Sequence, residues 1–217
     1  MYFTIENYCI LGGIDLIERI EHIFRGRKGK IMGDFSKSAV AIPLCEEEKR
    51  LDIIFEVRAL NLKHQPGDIC FPGGKMEKGE TPQDTAVRET MEELNLKRED
   101  VEVIGEMDYV VTPYNFIMYP FVCKVSKKNI IPSKSEVDHI FKVPLEFFME
   151  NTPLVYEMPV VSKPGKKFPY KLVVNGKNYK FRSGKITEYF YQYREYVIWG
   201  FTAYIVKKFA DMIKSNF

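Results

Sequence analysis

Cysteine is scarce in this chain and never paired. Cys9, Cys45, Cys70 and Cys123 stand far apart, with no CxxC among them. That spacing argues against a zinc site, and so few thiols in 217 residues argue against a disulfide framework. They read as reduced thiols acting as small hydrophobes. Excess charge of one sign is also missing. A formal net charge of +2 gives no global field to attract nucleic acid. One local cluster, Arg25, Arg27, Lys28 and Lys30, reads as a solvated loop face, with phosphate binding the weaker alternative. No apolar run approaches the ~18 residues that crossing a bilayer requires. The opening MYFTIENYCI lacks a basic stretch followed by a long apolar one, and the closing Lys214-Ser215-Asn216-Phe217 is not the Ser-Lys-Leu peroxisomal address. The expectation is a cytoplasmic protein with neither membrane nor nucleic acid as partner. Repeats and low-complexity tracts are absent too.

What is present suffices for one core. Hydrophobic residues make up 45% of the chain, near the globular average, which predicts a single domain over residues 1–217. Ile14, Leu16, Ile17, Ile20 and Ile23 fall at helical spacing, and Gly26 can end that helix. Ala39–Leu44 and Leu51–Leu60 read as strands, and residues 61–80, rich in Gly and Pro, as loop with short strand pieces. Thr81-Pro82-Gln83-Asp84 is a helix start, with a capping hydroxyl, a proline at the first turn and an acceptor three residues on. That helix should run to Leu94 and end on a left-handed Asn95. Val101–Met107 and Phe116–Val125 read as strands, and Val143–Met149 as a short helix. Asn175-Gly176 predicts a hairpin between Tyr170–Val174 and Tyr179–Arg182. Tyr189 to Tyr196 reads as strand packing, and a core-facing helix should span Trp199 to Ile213, with Trp199 itself in the core. Strands and helices do not alternate regularly, so a mixed-sheet α/β sandwich is expected rather than a doubly wound fold.

The segment richest in chemistry is Gly74 to Leu96. Glu89 and Glu93, four apart, share a helix face, with Glu92 beside them. Three close carboxylates repel unless a cation sits among them, and hard oxygen ligands suit Mg²⁺ or Mn²⁺. Arg88 projects to a different side and can pair with Glu80. Acidic triplets are common on solvated helix faces, so the triplet by itself is weak. The complete spacing is not: it resembles the Nudix box, G-x5-E-x7-R-E-U-x-E-E-x-G-U with U aliphatic. Gly74, Glu80, Arg88, Glu89, Glu92, Glu93 and Leu96 match. Thr90 stands at an aliphatic position, and Asn95 replaces the second glycine.

The resemblance implies an α/β/α Nudix fold with a loop–helix–loop site and hydrolysis of a nucleoside diphosphate linked to another group. It implies Glu89 and Glu93 as main metal ligands, with Gly73 also at the metal. Glu92 would be a ligand or a water-orienting group, and Arg88 and Glu80 the pair holding loop against helix. Upstream, Ile54, Arg58, Ala59, Gly67, Phe71, Pro72, Gly73 and Gly74 are similar to the coenzyme A diphosphatase signature, LLTxR[SA]x3Rx3Gx3FPGG. Phe55 stands at its second Leu. Glu56 replaces its Thr, and Lys63 its second Arg, which keeps a cation but loses the two-pronged guanidinium. Glu136-Val137 through Pro144-Leu145, and Ile198-Trp199-Gly200 with Thr202-Ala203, resemble further segments of that subfamily. Glu136 reads either as a loop carboxylate near the metals or as a helix-start acid. The implied substrate is coenzyme A or a derivative, cleaved to 3′,5′-ADP and 4′-phosphopantetheine, with Arg58, Lys63, Gly74 and Phe71 as substrate-binding candidates. A homodimer is left open. Hydrolysis of ADP-ribose or another dinucleotide is the alternative within the same chemistry. A non-catalytic nucleotide-binding module is the alternative outside it, and the intact Glu89, Glu92 and Glu93 argue against that.

Overall fold

The computed structural model describes residues 13–127 and 129–216; Cys9, the N-terminal stretch, the side chain of Ile14 and Phe217 lie outside them. The chain divides into two compact units, one ending at Asp34 and one spanning Phe35–Phe217. Of the first, helix α1 (Gly13–Phe24) is described, closed by Gly26 in the left-handed region at φ 75°. Leu16, Ile17, Ile20 and Ile23 of α1 are exposed, as are Arg25 to Lys30.

In the second unit, β1 (Ser36–Glu47) and β2 (Arg50–Arg58) form an antiparallel pair across a tight charged turn, in which Glu48 and Lys49 both take positive φ. Short strands β3 (Ile69–Cys70) and β4 (Gly73–Lys75) follow and lead into helix α2 (Pro82–Glu93). The chain continues through β5 (Val101–Glu106), β6 (Val110–Val111), β7 (Phe116–Val125) and β8 (Val137–Pro144) to helix α3 (Leu145–Glu150). Strands β9 (Leu154–Val161), β10 (Ser183–Tyr193) and β11 (Tyr196–Ile198) precede the last helix, α4 (Gly200–Lys214).

The main sheet runs β3-β2-β1-β7-β5, with β4 beside β1, β6 beside β7 and β8 beside β2. Strands β1 and β7 are parallel and the other pairs antiparallel, so the sheet is mixed and the fold α/β, as expected. Both faces are covered. Along β1 and β2, Ile42, Leu44, Ile53 and Phe55 join one core cluster with Leu145, Phe148, Ile205 and Phe209 from α3 and α4. Ala39, Ala41, Cys45 and Ile54 join another with Ala86 and Leu94 on the α2 side. The period-2 alternation of a strand distributes neighbours to opposite faces, and here both faces are apolar. Cys45 and Cys123 are buried, and they and Cys70 are free thiols.

The expected hairpin at Asn175-Gly176 is not there. Both residues take positive φ, 66° and 53°, as such a turn demands, but a short 3₁₀ turn at Tyr170–Leu172 precedes them and another, Gly176–Asn178, begins at Gly176 itself. Leu172 and Val174 remain 85% and 79% exposed, so the apolar residues of those flanks have nothing to pack against, and a bare two-stranded ribbon is marginal in water. The real hairpin is longer, β9 against β10 from Leu154↔Phe190 to Val161↔Ser183, anchored where Tyr191 enters the core. Strand β8, paired with β2 over the segment beginning at Val137, was likewise not predicted; the short helix after it starts at Leu145 rather than Val143. Trp199 is also corrected: it stands 46% exposed at the start of α4 and stacks on Phe190 at 6.0 Å. The rest of α4 buries Ala203, Ile205, Val206, Phe209 and Ala210 as expected.

Candidate active site

Helix α2 begins as its sequence directs. Thr81 accepts from the Asp84 amide, the Asp84 carboxylate accepts from the Thr81 amide, and Pro82 occupies the first turn. It ends at Leu94, and Asn95 takes φ 51°, so asparagine fills the left-handed position of the missing glycine. Thr90, at the aliphatic position, is fully buried and donates its hydroxyl to the Ala86 carbonyl at 2.6 Å. The substitution therefore leaves no polar atom orphaned.

Arg88 is more central than the sequence suggested. Its Nε donates to Glu80 Oε1 at 2.7 Å and its Nη2 to Glu80 Oε2 at 3.2 Å, a two-pronged grip. It does not, however, project away from the acids: Nη1 lies 2.9 Å from Glu89 Oε1 and 3.1 Å from Glu92 Oε2. Glu80 also accepts from Thr85 Oγ1 at 2.8 Å and from the Glu77 amide at 2.9 Å. These donors, the guanidinium first, hold the Glu80 carboxyl down at about 2, so it is an anion at any physiological pH. The preceding loop is thereby latched to the helix.

The glycines set how closely helix and loop approach. A Cβ on Gly74 would fall 2.2 Å from Glu89 Oε1, and one on Gly73 would fall 2.4 Å from the Ala39 carbonyl oxygen. Gly73 meets the carboxylates through its amide, which donates to Glu93 Oε2 at 2.8 Å. Glu93 is 4% exposed, and burial pushes its carboxyl up against the opposing pull of the Gly73 amide, with Glu89 and Glu136 adding to the rise. Burial is also the first cause that raises Glu89. Glu92 lies outside this buried group, exposed and paired with Arg88.

Two further carboxylates, Glu56 and Glu136, belong to the cluster. Glu56, seen only as a departure from a signature threonine, is 1% exposed and lies within hydrogen-bonding reach of Glu93. Burial and the Glu93 charge drive its carboxyl well above the ordinary range. The signal for it is strand alternation: Ile54 faces α2, so Glu56, two residues on, belongs to the same face. Glu136 acts electrostatically on Glu56, Glu89 and Glu93, which places it as a loop carboxylate beside them. The Glu136 carbonyl accepts from the Ala59 amide at 2.8 Å, tying the segment at 136 to the strand that carries Arg58.

The upstream signature now has local reasons. Gly67, at φ 76°, closes the loop back onto β2 with its amide on the Arg58 carbonyl. Thr202, at the start of α4, donates to the Ile69 carbonyl at 3.2 Å. Phe71 stacks on Phe55 at 4.9 Å and is 4% exposed, so its first task is packing, although it also borders a cavity of about 400 Å³. Arg58, Cys70, Met118, Met158, Trp199 and Phe201 border the same cavity. Arg58 keeps its Nε buried without a hydrogen-bond partner. Lys63 does not border the cavity and stands exposed on the loop after β2.

The donor set consists of hard carboxylate oxygens and fits a hard divalent cation. The acids are not yet gathered on one point: among the described residues no three His, Cys, Asp or Glu close together as a metal-holding group. Glu56 Oε1, however, is buried with no hydrogen-bond partner, an acceptor that a cation would satisfy.

The family model of the NUDIX domain matches residues 35–158. The chain is 34% identical over 158 residues to the peroxisomal coenzyme A diphosphatase of Mus musculus, covering 66% of this chain and 63% of that protein. It is 34% identical over 116 residues to Nudix hydrolase 3 of Caenorhabditis elegans, covering 51% and 48%. To the mitochondrial coenzyme A diphosphatase of Homo sapiens it is 29% identical over 140 residues, covering 61% and 58%. The chain thus spans about half to two thirds of the length of these curated relatives. A crystal structure of a Nudix hydrolase from M. smegmatis superposes with a TM-score of 0.44 at 19% identity, over 54% of this chain and 74% of that one. The family match covers more than half of the sequence and takes in the sheet, the latched loop and the carboxylate helix, and on it the chain belongs to the Nudix family.

Proposed function

We propose that the unit Phe35–Phe217 is a divalent-metal-dependent diphosphate hydrolase and that its substrate is coenzyme A or a derivative, cleaved to 3′,5′-ADP and 4′-phosphopantetheine or its acylated form. The observation that carries the chemistry is the seating of the acids. Glu93 is held by the Gly73 amide, Glu89 is pressed against Gly74, and Glu80–Arg88 latches the intervening loop. Glu89 and Glu93 would hold the cation, with Glu92 at the exposed rim. Bound there, Mg²⁺ or Mn²⁺ neutralises diphosphate charge and lowers the pKa of a bound water. The chain's own part is positioning. Arg88 fixes where Glu89 and Glu92 stand. Arg58, its Nε unpaired at the cavity wall, offers a guanidinium to a phosphate oxygen.

Support for the coenzyme A class comes from the residues between Ile54 and Gly74 and from two relatives named as coenzyme A diphosphatases. The cavity beside Arg58 supports it as well. Phe71, Met118, Trp199 and Phe201 give that cavity an apolar wall suited to a pantetheine arm, and about 400 Å³ is in the range of small-molecule sites. The test is product analysis with Mg²⁺ across coenzyme A, acyl-coenzyme A, dephospho-coenzyme A, ADP-ribose, NADH and nucleoside triphosphates. Coenzyme A should show the highest kcat/KM. A clear preference for ADP-ribose would overturn the substrate class while leaving the diphosphate chemistry. Equal rates on coenzyme A and dephospho-coenzyme A would remove the 3′-phosphate from recognition.

A further inference from the structure

Strand β2 brings a carboxylate into the site from the side opposite helix α2. Glu56 is 1% exposed on a strand whose surrounding residues, Ile53, Ile54, Phe55 and Val57, are all buried. Burying a carboxyl group is unfavourable unless something compensates it. The compensation visible for Glu56 is partial: its carboxyl lies within hydrogen-bonding reach of Glu93, a second acid that can share a hydrogen bond with it only while one of the two is protonated, and the Arg58 charge acts on it without an ion pair. Glu56 Oε2 has the Cys70 thiol at 3.9 Å, a weak donor at long range, and its Oε1 has no hydrogen-bond partner. Arg58, two residues on, makes no ion pair with it among the described residues, and the Arg58 Nε is unpaired as well. A buried carboxylate with one acceptor atom left open calls for an explanation, and a bound ion is one that would satisfy it. Its neighbour is Glu93, whose Oε2 already accepts from the Gly73 amide.

We propose that Glu56 is an additional carboxylate ligand of the divalent cation, presented by the sheet to complete with Glu93 and Glu89 a site that the helix supplies only in part. The unpaired Oε1 is the atom that would meet the cation. The unpaired Arg58 Nε is the complementary atom for a diphosphate oxygen drawn in with it, so two buried orphans of opposite character are satisfied by one cation–diphosphate pair. The position matters because the coenzyme A diphosphatase signature has threonine there, a neutral and shorter side chain. This chain would therefore hold its cation before substrate arrives, and more tightly than a chain with threonine at that position.

This inference rests on the proposed metal-dependent chemistry, and its test separates the two. Mn²⁺ is titrated into the full chain without substrate, and the free ion is read by electron paramagnetic resonance, for the wild type, Glu56→Gln, Glu56→Thr and Glu93→Gln. Metal-free melting temperatures check that each variant is folded. Glutamine keeps the size and hydrogen-bonding capacity of Glu56 but cannot serve as an anionic ligand. Expected is a loss of Mn²⁺ affinity of about tenfold or more in both Glu56 variants, with Glu93→Gln also impaired and with melting at or above the wild-type temperature for Glu56→Gln. Wild-type affinity in Glu56→Gln and Glu56→Thr, with affinity lost in Glu93→Gln, would overturn the role of Glu56 and leave the proposed function standing. A wild-type chain that binds no Mn²⁺ would overturn both.

Discussion

Gly74→Ala perturbs the site without touching a charge. The added Cβ would stand 2.2 Å from Glu89 Oε1 and 2.5 Å from its carboxyl carbon, whereas ordinary contact begins near 3.4 Å. The carboxylate is the end of a flexible side chain, so it yields instead of the backbone, retreating by about 1 Å and loosening its 2.9 Å contact with Arg88. Gly74 is not in the left-handed region, so alanine introduces no backbone strain. An off-rotamer Glu89 and a weakened, partly exposed ion pair together amount to roughly 1–2 kcal/mol. The smaller unfolded-state entropy of alanine offsets about 0.4–1 kcal/mol of that. For a chain this size each kcal/mol shifts melting by about 2–4 °C, so the melting temperature should fall by no more than about 5 °C. The effect on catalysis is larger, since a misplacement of about 1 Å at a positioned group can reduce rate ~10²-fold. The assay is kcat/KM on coenzyme A at saturating Mg²⁺, beside a thermal melt. Activity within threefold of wild type would show that the seat of Glu89 against Gly74 is not used. A large loss of melting temperature would show that the displacement is not local. Gly73→Ala is the contrast: its Cβ meets the Ala39 carbonyl at 2.4 Å and the Val40 Cα at 2.8 Å, so backbone must move and the fold itself should lose stability.

Glu89→Gln should nearly abolish turnover while the chain stays folded, and its metal-free melting temperature should match or exceed wild type because repulsion among the acids falls; near-normal turnover at limiting Mg²⁺ contradicts the assignment. Arg88→Ala should lose stability and activity together, by about 1–3 kcal/mol in stability, because Glu80 keeps only Thr85 and the Glu77 amide; a variant inactive yet fully stable would make Arg88 a substrate contact instead. The pH dependence of the metal-free chain follows from the raised carboxyls of Glu56, Glu93 and Glu89. Between the ordinary carboxyl value of about 4.3 and those raised values, the folded state binds more protons than the unfolded one, so these groups make stability fall as pH rises. Saturating Mg²⁺, which favours the ionised acids, should flatten the trend, and a metal-free melting profile that instead rises from pH 5 to pH 8 would refute it. Glu80 has the opposite sign: its contribution is present above the ordinary value and fades as pH falls toward its folded value of about 2.

The local and periodic features were legible in the sequence itself. The capping box at Thr81–Asp84, the left-handed Asn95, the placing of Glu89 with Glu93 and the pairing of Arg88 with Glu80 depend on spacings of a few residues, where backbone geometry leaves little choice. The mixed sheet and the strands at 39–44, 51–60, 101–107 and 116–125 followed from apolar runs bounded by turns. Tertiary structure decided what depends on distant partners. At Asn175-Gly176 the turn residues met their required φ, but exposed flanks gave no strands, and the hairpin formed instead where Tyr191 could be buried. Glu56 and Glu136 became part of the acid cluster only when β2 and the loop before β8 were laid against α2, because a charge's environment is set by what packs around it rather than by its neighbours in sequence. In the sequence Gly73 and Gly74 stand only as members of the motifs that the segment resembles, one expected at the metal and the other at the substrate. Only the approach of Ala39 and Glu89 to within a side chain's width shows why nothing larger fits there.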